Sequence, residues 1–204
     1  MTLIENICKR IINAIKKNTK DIDQEKLEII YYGLYIFFSD ILKTAIILSI
    51  AFILGITSYV IVFLIFFGVF RGFAGGVHSK TWLGCLVTNS LITYSIVYLS
   101  MFLSFASPIV ISFAILPLTL SIVYFYAPAD HENKPVVSKK HRRKLKLISY
   151  FILILENITS MFFLSQPYSN ILVLGNLAVV LSMLPITYKI TRNRHSCFKD
   201  DMIN

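Results

Sequence analysis

His78 and Cys85 stand seven residues apart in the stretch RGFAGGVHSKTWLGC, Arg71 to Cys85, between two apolar segments. A thiol and an imidazole are the side chains of nucleophilic acyl transfer: the imidazole takes the thiol proton and the thiolate attacks a carbonyl. That chemistry needs the two groups within about 3 Å of each other. On a straight helix seven residues return the face to nearly the same direction but advance it by about 10.5 Å. A continuous helix would therefore align the pair without joining it. Gly75 and Gly76 let the backbone turn, and Ser79 or Thr81 can cap a helix that starts beyond them. With Thr81 as cap, Cys85 falls just past the first turn and His78 lies in a loop folding back over it. A helix N-terminus favours negative charge, and hence the thiolate. Taken singly, a Cys at the head of an apolar helix is a small packing residue. The pair, inside a break that also holds Gly84, is what points to a nucleophile.

The elements that must position this pair are membrane spans. Of the 204 residues 56% are hydrophobic and 15% charged, against about 25% charged in a soluble domain. Crossing the hydrocarbon core takes about 20 apolar residues. Six segments qualify or nearly so: Ile29–Leu54, Ser58–Phe70, Trp82–Phe105, Pro108–Ala127, Leu145–Ser165 and Asn170–Ile190. The second is short for a crossing and must borrow from its flanks or lie partly re-entrant. The expected fold is an all-α integral membrane protein of about six transmembrane helices with an N-terminal amphipathic interfacial helix. It forms one membrane domain, residues 1–204: an arm over 1–26, a six-span bundle over 27–190 and a tail over 191–204. No cleavable leader is read at the N-terminus, which has no uninterrupted apolar region before the first span.

Charge orients the bundle. Of 20 Lys and Arg, 19 fall on one side of a six-span layout, and Lys43 lies inside the first span. Basic residues near span ends stay cytoplasmic, so both termini and the His78 loop are expected in the cytoplasm. In the arm, Leu3, Ile4, Ile7, Ile11, Ile12 and Ile15 recur at helical spacing, with Lys9, Arg10, Lys16, Lys17 and Lys20 on the remaining surface. Such a helix lies on anionic lipid or docks on the protein's own cytoplasmic face.

Three further groups carry charge or polarity. Asp40 and Lys43, three apart in the first span, share a helix face as part of a polar path or as a local ion pair. Glu156 and Asn157 in the fifth span raise the same question, with Lys43 or Arg71 as partners for Glu156. The run Val136–Lys146, rich in Lys139, Lys140, Arg142 and Arg143, sets topology and offers a docking surface for anionic headgroups or an acidic peptide. Nucleic-acid binding is not expected, because no base-stacking pattern accompanies the charge. Cys8, Cys85 and Cys197 are odd in number and far apart, with no disulfide framework.

The combination of RGFAGGVHSKTWLGC with YAPADHENKP, Tyr126 to Pro135, resembles the AgrB family, membrane peptidases of Gram-positive quorum sensing. Arg71, Gly75-Gly76-x-His78, Cys85, Ala127-Pro128-x-Asp130 and Lys134-Pro135 carry the resemblance, which covers essentially the whole chain. It implies a cell-membrane cysteine endopeptidase that cleaves an AgrD-like signal pro-peptide. His78 is then the general base and Cys85 the nucleophile, holding a thioester from which a thiolactone or lactone ring closes. It further implies a homodimer, no cofactor or metal, and support of the site by Arg71, Gly75 and Gly76. The group that orients His78 stays open among Asp130, Glu156, Asp40 and a main-chain group. Backbone N–H groups near Gly84 and Cys85 are candidates for an oxyanion hole. The competing reading is a small transporter or sensor scaffold with Asp40, Lys43 and Glu156 along a polar path. Metal binding by His78, Cys85, His131 and His141 lacks a ligand spacing.

Overall fold

The structure, a computed structural model, describes residues 3–18, 23–77, 79, 81–105, 107–129 and 138–191. His78 and Asp130, with Lys80, His131, Lys134, Pro135 and Cys197, lie outside the described residues. The helices are α1 (Leu3–Asn18), α2 (Gln24–Ile53), α3 (Thr57–Ala74), α4 (Trp82–Phe102), α5 (Pro108–Tyr126), α6 (Lys139–Phe162), α7 (Tyr168–Leu181) and α8 (Pro185–Ile190). A single 3₁₀ turn, Leu103–Phe105, closes α4. Among the described residues the nearest thing to a sheet is an isolated parallel bridge between Gly75 and Ala129. The protein is an all-α integral membrane protein: α2 to α6 are each long and apolar enough to cross a membrane. Phe102, Phe125, Phe151 and Phe163 all project from the helices into the surroundings, as lipid-facing side chains do.

Two compact units divide the chain, Met1–Gly55 and Ile56–Asn204. In the first, α1 packs on α2. Ile4, Cys8 and Ile12 are buried at successive four-residue steps, while Lys9, Arg10, Lys16 and Lys17 are exposed. The arm therefore docks on its own chain through a stripe that includes Cys8. Within α2, Lys43 Nζ meets Asp40 Oδ1 at 2.8 Å, the local ion pair weighed from sequence.

In the second unit α7 is the central helix, packed against α3, α4, α5 and α6, with Ser169 to Asn176 continuously buried. Lipid is as apolar as Leu, so association of these helices rests on packing and hydrogen bonds. Gly175 lets α7 approach α3: the Phe63 ring lies 3.6 Å from where a Cβ would stand. Hydrogen bonds mark the two ends of the bundle. At one end Tyr168 donates to Ser58 Oγ at 3.2 Å, Asn170 Nδ2 to Leu103 O at 3.0 Å and Ser160 Oγ to Ser169 O at 2.9 Å. That end gathers the starts of α3 and α7 and the ends of α4 and α6. The opposite end gathers the ends of α3, α5 and α7 and the starts of α4 and α6.

Several expected spans differ in extent: α2 and α6 begin at Gln24 and Lys139, five and six residues before the expected Ile29 and Leu145. The short second span becomes α3, whose 18 residues run on through Arg71 to Ala74, so it does borrow from its flank. Asn170–Ile190 is not one helix: α7 has 14 residues, about 21 Å at 1.5 Å per residue, and the chain breaks before α8. Pro185 disfavours the helical region at the preceding residue, and Leu184 is extended, at ψ 143°.

Candidate active site

At the end rich in basic residues, the chain leaving α3 is held on three sides. Gly75 and Gly76 have φ of 82° and 127°, values that favour glycine. Gly76 N–H donates to Ala129 O at 3.1 Å, and Ala129 N–H donates to Ala74 O at 2.9 Å, tying the segment to the residues after α5. Val77 N–H donates to Ser182 O at 3.2 Å, tying it to the end of α7. The fit admits no side chain: a Cβ on Gly75 would collide with Ala129 O, and one on Gly76 with Ser182 Oγ. Beneath lies an apolar cluster including Phe70, Val123, Leu153, Val180 and Met183.

Arg71, half-buried one turn before Gly75, completes this junction. Its guanidinium donates to Val77 O, reaches Ser182 Oγ at 3.4 Å and lies over the Phe67 ring, 5.5 Å from its centroid. Ser182 Oγ in turn donates to Val179 O at 2.6 Å. Both faces of the Val77 peptide are thus engaged immediately before position 78. The same Arg71 is within electrostatic range of Cys85 and Tyr188.

On the other side, α4 starts as the sequence predicts. Thr81 is its cap, with Oγ1 accepting from Gly84 N–H at 3.1 Å. Removing such a cap costs about 1 kcal/mol. A Cβ on Gly84 would stand 2.7 Å from Thr81 Oγ1 and 3.5 Å from Ser79 Cβ, so Gly84 admits both the cap and the approach of Ser79. Ser79 Oγ and Thr88 Oγ1 lie 3.4 Å apart. Cys85 is half-buried, between Gly84 and Thr88 on this helix. The residues on either side of position 78, Val77 and Ser79, are therefore both seated, the first on Arg71 and α7 and the second on α4 beside Cys85.

Two features correct the sequence reading. The N–H groups of Gly84 and Cys85, expected as oxyanion donors, are engaged: Gly84 with Thr81 Oγ1 and Cys85 with Thr81 O at 2.9 Å. First-turn N–H groups have no helical carbonyl to reach, which leaves Trp82 and Leu83 as the main-chain donors at this terminus. Glu156 does not pair with Arg71, whose contacts are Val77 O and Ser182 Oγ. It sits 17 residues beyond Lys139 on α6, about 25 Å up the helix by rise. Cys85 lies at the end of the bundle where α6 starts, so Glu156 is far from Cys85.

Two residues that the sequence reading passed over join the site. Asn89 Nδ2 points at Cys85 Sγ, 3.7 Å away; its signal was an amide one helical turn beyond the Cys, at i+4. Ser182 binds the loop from a distance of 111 residues in sequence, and no local pattern announces that. Of the basic run, Lys139, Lys140 and Arg143 are exposed, while Arg142 is half-buried and reaches Pro128 O at 3.4 Å. Arg142 thus braces the chain after α5. Among the described residues no group of three His, Cys, Asp or Glu could hold a metal.

The family model of accessory gene regulator B matches residues 8–183. An AgrB-like protein of Clostridium acetobutylicum is 32% identical over 182 residues, 88% of this chain and 86% of that protein. One from Listeria innocua is 29% identical, covering 88% of this chain and 87% of its own length. A third, from Clostridium perfringens strain 13, is 29% identical over 74% of this chain and 72% of its own. No solved structure matches. A match across nearly the whole bundle, from α1 to the Ser182 junction, shows that the chain belongs to the accessory gene regulator B family.

Proposed function

We propose that this protein is a cysteine endopeptidase of the cell membrane that matures an AgrD-like signal pro-peptide, with Cys85 as nucleophile and His78 as general base. The observation that carries this is the seating of Cys85. It lies at the capped start of α4, one turn from Asn89, while Val77 and Ser79, on either side of position 78, are held by Arg71 and Ser182 and by Thr88 of α4. The fold supplies the rest as positioning: Gly75 and Gly76 for the turn, Arg71 and Ser182 for the Val77 peptide.

In the first step His78 accepts the Cys85 proton and Sγ attacks a peptide carbonyl of the precursor. A C–S bond forms, and the C–N bond breaks. The proton passes from His78 to the departing amine, which carries away the precursor's C-terminal part. The remaining acyl fragment is held on Cys85 as a thioester. A thiol or hydroxyl within that fragment then gives its proton to His78 and attacks the thioester carbonyl; the new C–S or C–O bond closes a ring, and the C–S bond to Cys85 breaks, returning Cys85 as thiolate. Exclusion of water by the bound precursor would favour ring closure over hydrolysis. Asp130 is retained as a candidate to orient His78, because it directly follows Ala129, which is hydrogen-bonded to the Gly75–Gly76 segment.

The sidedness proposed with this activity places both termini and Cys85 in the cytoplasm, on the charge distribution, in the membrane of a Gram-positive bacterium. Exposed Lys139, Lys140 and Arg143 would receive an acidic part of the precursor or anionic lipid. The family likeness supports two copies acting together. Alkylation by iodoacetamide at neutral pH tests the assignment: Cys85 should react fast, buried Cys8 should not, and His78→Ala should slow Cys85 about tenfold or more. Equal rates at Cys8 and Cys85 in the wild-type protein would remove the activated thiol.

A further inference from the structure

Glu156 is a buried carboxyl with no part in the peptidase chemistry. It is 3% exposed, as is its neighbour Asn157, and Asn176 on α7 is 2% exposed. Both Glu156 carboxyl oxygens, Asn157 Oδ1 and Asn176 Nδ2 are buried without a hydrogen-bond partner. Asn176 faces Glu156 across α6 and α7, but no hydrogen bond joins them. No ion pair reaches Glu156 among the described residues, where the salt bridge found is Lys43–Asp40. A carboxylate cannot persist unpaired in so dry a place. Something with a positive charge must share it.

The elements packed on α6 are α3, α5 and α7, and they bring no compensating charge. The titratable side chain of α7 is Tyr168, at its first residue. Those of α3 are Tyr59 and Arg71, near opposite ends, and those of α5 are Tyr124 and Tyr126, at its far end. On α6 itself Tyr150 lies six residues before Glu156, and the basic residues lie earlier still, no nearer than Lys146. None of these four helices supplies the missing charge.

Position says from which side it comes. Glu156 is six residues from the end of α6, about 9 Å by rise, so the near end of the bundle is the one away from Cys85. That end is also where polar groups stand unsatisfied. The hydroxyls of Ser100 near the end of α4, Ser112 near the start of α5 and Ser169 at the start of α7 are buried without partners. All three belong to the end of the bundle nearer Glu156, in a region where ionisable and polar groups mark ion or proton routes.

We propose that Glu156, with Asn157 and Asn176, binds one small monovalent cation, a proton or a sodium ion, reached from the bundle end opposite Cys85. The Glu156 carboxylate and Asn157 Oδ1 are hard oxygen donors suited to such cations and not to soft metals, and Asn176 Nδ2 is placed to donate a hydrogen bond to the carboxylate. One carboxylate balances one positive charge; a divalent ion would leave a charge uncompensated. The site stands independently of the peptidase reading, so Cys85→Ala should retain it.

The test is thermal unfolding of the purified full-length protein in detergent. Sodium is titrated against N-methylglucamine at constant pH and ionic strength, and pH is varied at constant sodium, for wild type, Glu156→Gln and Asn176→Ser. A ligand that binds the folded state raises Tm with its concentration. A rise of about 5 °C with sodium alone identifies the metal ion, and a rise on acidification alone identifies the proton. Either response should vanish in Glu156→Gln and weaken in Asn176→Ser. Should Glu156→Gln fail to fold, Asn176→Ser against wild type carries the comparison. The proposal is overturned if wild type responds to neither variable, or if the variants respond as wild type does.

Discussion

At the residue scale the site rests on what surrounds one sulfur. Thr81, Gly84 and Cys85 behave as a capped helix start should, and the sequence showed this because capping is local: a Thr three residues before a Gly suffices. Asn89 was equally near in sequence but carried no motif, so its role emerges only from the 3.7 Å approach to Cys85 Sγ. A side-chain donor placed there can steady the thiolate or the oxyanion that forms beside it. Asn89→Ala is therefore expected to lower kcat for precursor cleavage by about 10²-fold with KM little changed. Kinetics on reconstituted protein with a precursor peptide would check this; an unchanged kcat would leave Asn89 as a packing residue. Arg71 and Ser182 show the opposite limit. Their contact spans 111 positions, and periodicity carries no information over such a distance.

Among the elements, boundaries were legible where a capping residue or a proline marks them, Thr81 before α4 and Ser107-Pro108 before α5, whereas the basic first turns of α6 hid its start at Lys139, six residues before the expected Leu145. The division of Asn170–Ile190 was not legible either, because hydropathy reads Ser182–Leu184 as more of the same apolar run. The break has a use that hydropathy cannot see. Ser182 O is free of the helix and accepts Val77 N–H, so α7 ends where the loop needs an acceptor. The N-terminal half of α6 makes a separable claim. Lys139, Lys140 and Arg143 are exposed while Arg142 braces Pro128. Replacing the first three with Gln should raise KM several-fold with kcat nearly constant, and the effect should fade in high salt, since screening acts over about 8 Å at physiological ionic strength. Arg142→Gln should instead lower kcat, through the chain after α5. Steady-state kinetics at two salt concentrations separates these outcomes.

For the whole molecule, the composition and the separation of basic residues pointed to a helical membrane protein, and five long apolar helices bear that out. Packing within unit Ile56–Asn204 adds what hydropathy could not: a short central helix, α7, running from one end of the bundle to the other. Sidedness follows from charge, and labelling of single introduced cysteines tests it. Ser107→Cys should react with an impermeant reagent applied to intact cells, and Ser138→Cys only after lysis; both positions are exposed. A reversed pattern would invert the topology.

The central claim is that Cys85 forms a covalent acyl intermediate with the precursor. Protein co-expressed with its pro-peptide, quenched in acid and digested, should yield a Cys85 peptide bearing the precursor's N-terminal fragment through a hydroxylamine-labile bond. That bond is the thioester. Cys85→Ala should give no adduct and no cleavage, whereas Cys8→Ala should give both. Cleavage of the pro-peptide by Cys85→Ala would contradict the account.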